Sequence, residues 1–301
     1  MMDGYGHPGY AASLAEFGTV RELRFSGGWI LKRQIPGFPH YDAMGCYPLF
    51  ACEDWSQIQS DLESVAHDVV ALSLVTDPFG KYTSFSLEQC FDRVLRFKEH
   101  FIVDLSRPAD SFVSKHHRYY ARKAGQDVTV ECSTDPSQYI DEWVQLYTNL
   151  INRHQLKGIK SFSEQAFAQQ LLVPGIVMFL AFSRGTLVGA HLWYMQGEIA
   201  YSHLAAMSPR GYELMASYAL YWSALHYFSG KVRWLDLGSA AGVKSDSTRG
   251  LDLFKKGWST GTRTAYFCGR IFNPEHYKEI TEAKGIGTTD YFPAYRRGEF
   301  T

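Results

Sequence analysis

Four sets of residues have types and spacing that can do chemistry. Asp236 lies in the alternating run Trp234-Leu235-Asp236-Leu237, at a strand end just before the small-residue stretch Gly238-Ser239-Ala240-Ala241-Gly242. A carboxylate there either orients an amine and accepts its proton, or caps the loop that follows. His191 and His203 fall on neighbouring strand-like runs and can face one cleft, where an imidazole serves as a base near neutral pH; the alternative is a pair of satisfied structural histidines. Lys115, Arg118 and Arg122 recur at i, i+3 and i+7, a basic helical stripe beside Tyr119, Tyr120 and Lys123. Such a stripe suits a phosphate-rich ligand or simply faces water. Arg210 and Gly211 open an apolar helix, and an arginine with the amides behind a glycine suits a pyrophosphate.

Other chemistries lack their residues. In Gly238-Ser239-Ala240-Ala241-Gly242 the serine stands one place too early for a nucleophile elbow. The sequence contains no G-x-x-x-x-G-K-[ST] loop and no G-x-G-x-x-G after a strand. No histidine, cysteine or carboxylate spacing reads as a metal site, so no metal is expected.

The elements that must position these residues are legible in the pattern. Runs 177–183, 186–194 and 198–207 are rich in β-branched and aromatic residues, with Arg184-Gly185 and Gln196-Gly197 at the first two junctions, which predicts an antiparallel meander. Residues 212–229 are apolar nearly all round and predict one buried helix, followed by a strand over 233–237. Upstream, 20–25 and 29–34 flank Ser26-Gly27-Gly28 as a hairpin, and 35–48, with three prolines, reads as an irregular loop. Residues 68–75 and 99–105 read as strands, 108–124 as one helix ending at Gly125, and 127–132 as a strand. Helices over 138–154 and 162–172 come next. Residues 250–257 are read as a short helical piece and 263–271 as a strand, and 127–271 is expected to lie in one mixed sheet.

This β-β-β-α-β core, with a glycine-containing loop at the helix start, resembles the GNAT acyltransferase fold. More specifically, Glu99-His100-Phe101-Ile102-Val103-Asp104-Leu105, then the basic helix ending Arg122-Lys123-Ala124, then Asp236-Leu237-Gly238 and Phe254-Lys255-Lys256-Gly257-Trp258, resemble the ordered motifs of FemAB-like and BioF-type proteins over about 97–272. The resemblance implies an α/β (α+β) chain of tandem GNAT-like folds with mixed sheets and a splayed donor cleft in the C-terminal half. The halves are placed at 1–125, a degenerate GNAT-like domain, and 126–301, the acyltransferase domain. It implies an acyl group moved from a thioester, acyl-CoA-like donor to a small-molecule or peptide amine. The alternatives are an aminoacyl-tRNA donor, with contact to tRNA, and a catalytically idle binding module. Neither donor is a permanently bound cofactor.

Lys255 stands where the family's F-K lysine stands. Its ammonium can stabilise the oxyanion formed as the amine attacks, with Gly250 and Gly257 allowing close backbone approach; the other role is a solvated helix lysine. Catalysis is therefore assigned to Lys255, Asp236 and His203, and donor binding to Arg210, Gly211, Tyr212, Met215 and Ala216. Acceptor binding is assigned to His191, Tyr201, Arg118 and Arg122. The donor loop Pro209-Arg210-Gly211-Tyr212-Glu213-Leu214-Met215-Ala216 departs from the usual Q/R-x-x-G-x-G/A.

Composition sets the outer bounds. The 301 residues have a net charge of −1, so no global pull toward nucleic acid or anionic membrane exists and any such contact must be local. The aromatic share of 15% first serves core packing. Five scattered cysteines without a C-x-x-C pair fit a reduced, cytoplasmic setting, and the sequence shows neither a signal-peptide pattern nor a membrane span.

Overall fold

The computed structural model describes residues 2–239 and 246–299. These residues form strands β1 (Thr19–Leu23), β2 (Gly28–Gln34), β3 (Tyr41–Gly45), β4 (Ala71–Val75), β5 (Arg93–Asp104) and β6 (Thr129–Ser133). They continue with β7 (Ile176–Ser183), β8 (Thr186–Gln196), β9 (Ile199–Met207), β10 (Trp234–Asp236) and β11 (Gly261–Ile271). The chain divides into two compact units, one of residues 1–98, 157–162 and 264–301, the other of 99–156 and 163–263. The architecture is mixed α/β. No helix among the described residues is long and apolar enough to cross a membrane.

In the first unit the strand order is β1-β2-β3-β4-β11. The pairs are antiparallel except β3 with β4. One feature departs from the sequence reading. The segment expected to be an irregular loop contains β3, whose Asp42 is fully buried and accepts from Arg296 Nε and Nη2 at 2.8 and 2.9 Å. A buried carboxylate in a strand is tolerated only with such a partner, and the partner lies at the far end of the chain. The expected strand 263–271 does form, its residues 267–271 pair antiparallel with 71–75 of β4, and the strands of 127–271 belong to one mixed sheet, as expected.

The second unit orders its strands β5-β10-β9-β8-β7-β6. The expected meander is β7-β8-β9, with Arg184 at φ 50, Gly185 at φ 77 and Gly197 at φ 58 in its turns. β10 runs parallel to β9 over only three positions, Trp234 opposite Ile199 through Asp236 opposite Tyr201. β9 then continues to Met207 without a further strand partner on that side among the described residues, which fits the expected splay. The apolar helix Ala216–Phe228 lies against the meander, and Trp193, Phe228, Leu235 and Trp258 are fully buried in the shared core. Truncating one such aromatic to alanine costs about 3–5 kcal/mol.

Two helices expected to be continuous are broken. The helix Lys115–Ala124 starts afresh at Ser114, whose hydroxyl caps the His117 amide at 3.2 Å, after a short turn at Ala109–Phe112. The donor helix is split into Pro209–Glu213 and Ala216–Phe228 by Met215, which sits left-handed at φ 55. Apolar periodicity runs on through both breaks, so the pattern alone does not mark them.

Candidate active site

The end of β10 and the turn after it gather the polar groups. Asp236 is 2% exposed. Its carboxylate lies 2.9 and 3.0 Å from His100 Nδ1 and accepts the Gly238 amide at 2.7 Å. Gly238 can offer that amide because it sits at φ 74, a conformation that glycine takes without cost. His100 comes from the adjacent β5, held to this turn by Phe101 N to Gly238 O at 3.1 Å and Leu237 N to Phe101 O at 2.8 Å. A carboxylate beside Nδ1 favours the tautomer with the proton on Nδ1, which leaves Nε2 as the basic nitrogen.

Lys255 approaches the same turn from the helix Asp246–Lys256. It is 9% exposed, and its ammonium donates to the Ser239 carbonyl at 2.7 Å. A Cβ built on Gly238 would stand 3.2 Å from Nζ, so the charge lies against the Asp236–Gly238 turn. Lys256, its neighbour, is exposed.

His117 fixes the lysine-bearing segment. Its Nε2 donates to the Phe254 carbonyl at 2.8 Å, while Nδ1 accepts from the Ser114 hydroxyl at 2.7 Å. The Ser114 amide in turn donates to Gly257 O at 2.9 Å. The imidazole lies so close to Gly257 that a Cβ there would be 2.0 Å from Cε1. The glycine and tryptophan of the F-K-K-G-W motif thus have packing reasons: Gly257 admits His117, and Trp258 is wholly buried with its ring edge-on to the imidazole at 5.0 Å. Burial depresses the His117 pKa, keeping the ring neutral.

His191 is fully buried; its Nε2 pairs with Ser202 Oγ at 2.8 Å, and its ring lies 4.7 Å from that of Tyr221. Burial first, and then the nearby Lys255 charge, push its pKa down to about 3. His203, one residue beyond Ser202, instead meets Gln170 Oε1 at 3.2 Å and the Tyr194 ring at 4.9 Å. The two histidines therefore engage different helices, Ala216–Phe228 and Glu164–Gln170, and do not share a cleft. Burial also lowers the His203 pKa. Tyr201 is buried and sits opposite Asp236 in the β9–β10 register.

The remaining expected residues lie apart from this cluster. Arg210 is exposed and paired with Glu213 at 2.8 Å. The Gly211 amide is taken by Ser208 Oγ at 3.1 Å, and a Cβ at Gly211 would stand 2.0 Å from the Val188 carbonyl oxygen; glycine is there for helix–strand contact. The Tyr212 ring carries the Arg153 guanidinium at 4.2 Å. Met215 makes the helix break, and Ala216, buried, begins the helix that follows. Lys115 and Arg122 are exposed, whereas Arg118 pairs with Asp110 at 3.1 Å. A cavity of about 360 Å³ between Leu105–Phe112 and Leu225–Ser229 includes none of the expected site residues. His100 and His117 escape sequence reasoning because their partners lie more than a hundred residues downstream.

Residues 111–245 match the family described as acetyltransferase (GNAT) domain. No curated protein matches the chain by sequence. Among solved structures, FemX superposes with a TM-score of 0.64 at 13% identity, covering 91% of this chain and 93% of its own. The C-terminal domain of a putative lysylphosphatidylglycerol synthetase from Agrobacterium fabrum gives 0.63 at 15%, covering 89% and 88%. The L-PGS of Bacillus licheniformis gives 0.59 at 15%, covering 94% and 98%. The fold of these proteins is shared across nearly the whole chain, as the resemblance implied. The chain carries a GNAT acyltransferase domain.

Proposed function

We propose that this GNAT-domain chain moves an aminoacyl group from aminoacyl-tRNA to an amine acceptor, with Lys255, His100 and Asp236 as its working groups. The observation that carries this reading is the anchoring of the basic helix Lys115–Ala124 on the lysine-bearing segment, through Ser114 N to Gly257 O at 2.9 Å and His117 Nε2 to Phe254 O at 2.8 Å. Phosphates held by Lys115, Arg118 and Arg122 would be in fixed register with Lys255. The donor helix supports the same choice, because the Gly211 amide that would cradle a pyrophosphate is already closed by Ser208. One of the proteins that share the fold is named for an aminoacylated product, lysylphosphatidylglycerol, and another is named L-PGS.

In this mechanism the acceptor's neutral amine attacks the ester carbonyl carbon. A C–N bond forms as the carbonyl electrons move to oxygen, beside the Lys255 ammonium, which is in place before charge develops. His100 Nε2 takes the proton lost by nitrogen, with Asp236 holding the ring. Collapse breaks the ester C–O bond, and the leaving hydroxyl oxygen of the tRNA regains that proton. Much of the rate would come from holding amine and ester together.

A thioester donor is the second reading, favoured by the GNAT match across the donor loop. The two separate in a salt series of donor binding. The triple variant Lys115→Gln/Arg118→Gln/Arg122→Gln is expected to weaken binding of an aminoacyl-tRNA and to flatten log K against log salt by about 0.7–0.9 for each phosphate that the variant no longer neutralises. Acyl-CoA binding that depends on Arg210 and ignores the stripe would favour the thioester. Binding of neither donor would return the chain to an idle module.

A further inference from the structure

His40, His276 and Glu279 lie far apart in the sequence and outside the GNAT-matched segment, yet the first unit brings one ligating atom of each within 4.8 Å of the others. The imidazoles of His40 and His276 stack with centroids 3.9 Å apart and planes at 28°. Glu279 follows His276 by three residues on the helix Pro274–Ala283, which places both on one helical face.

The main chain under these groups is fixed. Asn273 Oδ1 accepts the His276 amide at 2.9 Å and caps the helix. The connection carrying His40 is closed by Ile35 N to His40 O at 2.9 Å. Beneath them Ile35, Val70, Ile280 and Tyr295 form a buried cluster with Phe38 and Tyr277 against it. The backbone is therefore preorganised, while the three side chains, none fully buried, keep room to turn.

We propose that His40, His276 and Glu279 bind one divalent transition-metal ion of the zinc class, with water in the fourth position. Two imidazole nitrogens and one carboxylate oxygen are the donors such an ion prefers over magnesium or calcium, which take oxygen alone. Zinc–nitrogen bonds of about 2.0–2.1 Å in a tetrahedron separate ligating atoms by roughly 3.3–3.5 Å. Closing from 4.8 Å needs little more than side-chain rotation. The ion would clip the connection between β2 and β3 to the helix Pro274–Ala283, joining two distant parts of the chain in the folded state only.

The test uses the full chain, stripped with a chelator, dialysed, and titrated with zinc chloride in a calorimeter. One equivalent is expected to bind, and a hundredfold excess over Kd should raise Tm by roughly 5 °C. His276→Ala and His40→Gln are each expected to weaken binding by tenfold or more and abolish the Tm rise, with Glu279→Gln following in the same direction. Cobalt should give the intense visible absorption of a four-coordinate site in the parent and lose it in His40→Gln. Should His276→Ala fail to fold by circular dichroism, His40→Gln carries the test, since its side chain sits on a connection. Absence of a stoichiometric equivalent, or binding that survives the His40→Gln/His276→Ala pair, overturns the proposal.

Discussion

Lys255 and Lys256 are adjacent, carry the same charge and have opposite surroundings, so they make a controlled comparison. Lys255 is buried with its ammonium on the Ser239 carbonyl and against Gly238, whereas Lys256 is exposed. Lys255→Ala is expected to lower kcat by about 10²–10³, the cost of removing one preorganised oxyanion contact, with Lys256→Ala staying within a few-fold. Equal rates for the two variants in a steady-state transfer assay would remove Lys255 from the mechanism. At His100 the expectation differs in kind. Replacing it by glutamine keeps a side chain that can donate to Asp236 but removes the basic nitrogen, so kcat should fall on the order of 10²-fold with little change in KM. A loss confined to KM would make His100 a positioning residue. An unchanged melting curve is the control for both.

At the scale of elements, the glycines of the lysine helix separate sharply. Gly257 has the His117 ring on its Cα, where a Cβ would be 2.0 Å from Cε1, and at Gly250 a Cβ would meet nothing within 4 Å among the described residues. Gly257→Ala must push the ring aside and strain its bonds to Ser114 and Phe254, and is expected to cost about 1–3 kcal/mol as overpacking. Gly250→Ala, inside the helix Asp246–Lys256, should be stabilising by about 0.5–1 kcal/mol. Opposite signs in urea midpoints check the pair. Sequence alone gives both glycines the same role, admitting backbone; only contact across the fold tells them apart. The same limit explains which elements are legible. The meander is readable because Arg184-Gly185 and Gln196-Gly197 write their turns locally. β3 is not, because the buried Asp42 is held in its strand by contacts made across the fold, two hydrogen bonds from Arg296 and an ion pair with Arg33 at 3.4 Å. The helix restarts at Ser114 and Met215 are hidden by uninterrupted periodicity. At the candidate site, Asp236 and Lys255 are legible as motif residues, whereas the contact of His100 with Asp236 is not, since no local pattern announces a partner on another strand.

For the whole molecule, a net charge of −1 leaves little long-range repulsion for pH to act on, so individual buried groups should dominate the acid limb of stability. His191 is the clearest of them: fully buried, bonded to Ser202, and with its pKa pushed down to about 3 by burial and by the Lys255 charge. In the unfolded chain the same imidazole titrates near 6.5. Between these values the unfolded state holds a proton that the folded state refuses, so the folded state is favoured less as pH falls. The contribution is whole above about pH 6.5. It is lost progressively down to about pH 3, with a slope of about 1.4 kcal/mol per pH unit from this one ring. His117, also buried and depressed for the same reason, acts in the same direction. Carboxylates contribute to acid unfolding as well, so the measurement is a difference. Urea midpoints of the parent and of His191→Gln are followed from pH 7.5 to pH 4.5. Glutamine keeps a polar partner for Ser202 and takes up no proton over this range. The parent is expected to lose stability more steeply below pH 6.5, so that the gap between the curves narrows or reverses toward pH 4.5. Parallel curves over that range would mean that His191 accepts its proton in the folded state, beside Lys255, and the neutral buried imidazole assigned to it would be wrong.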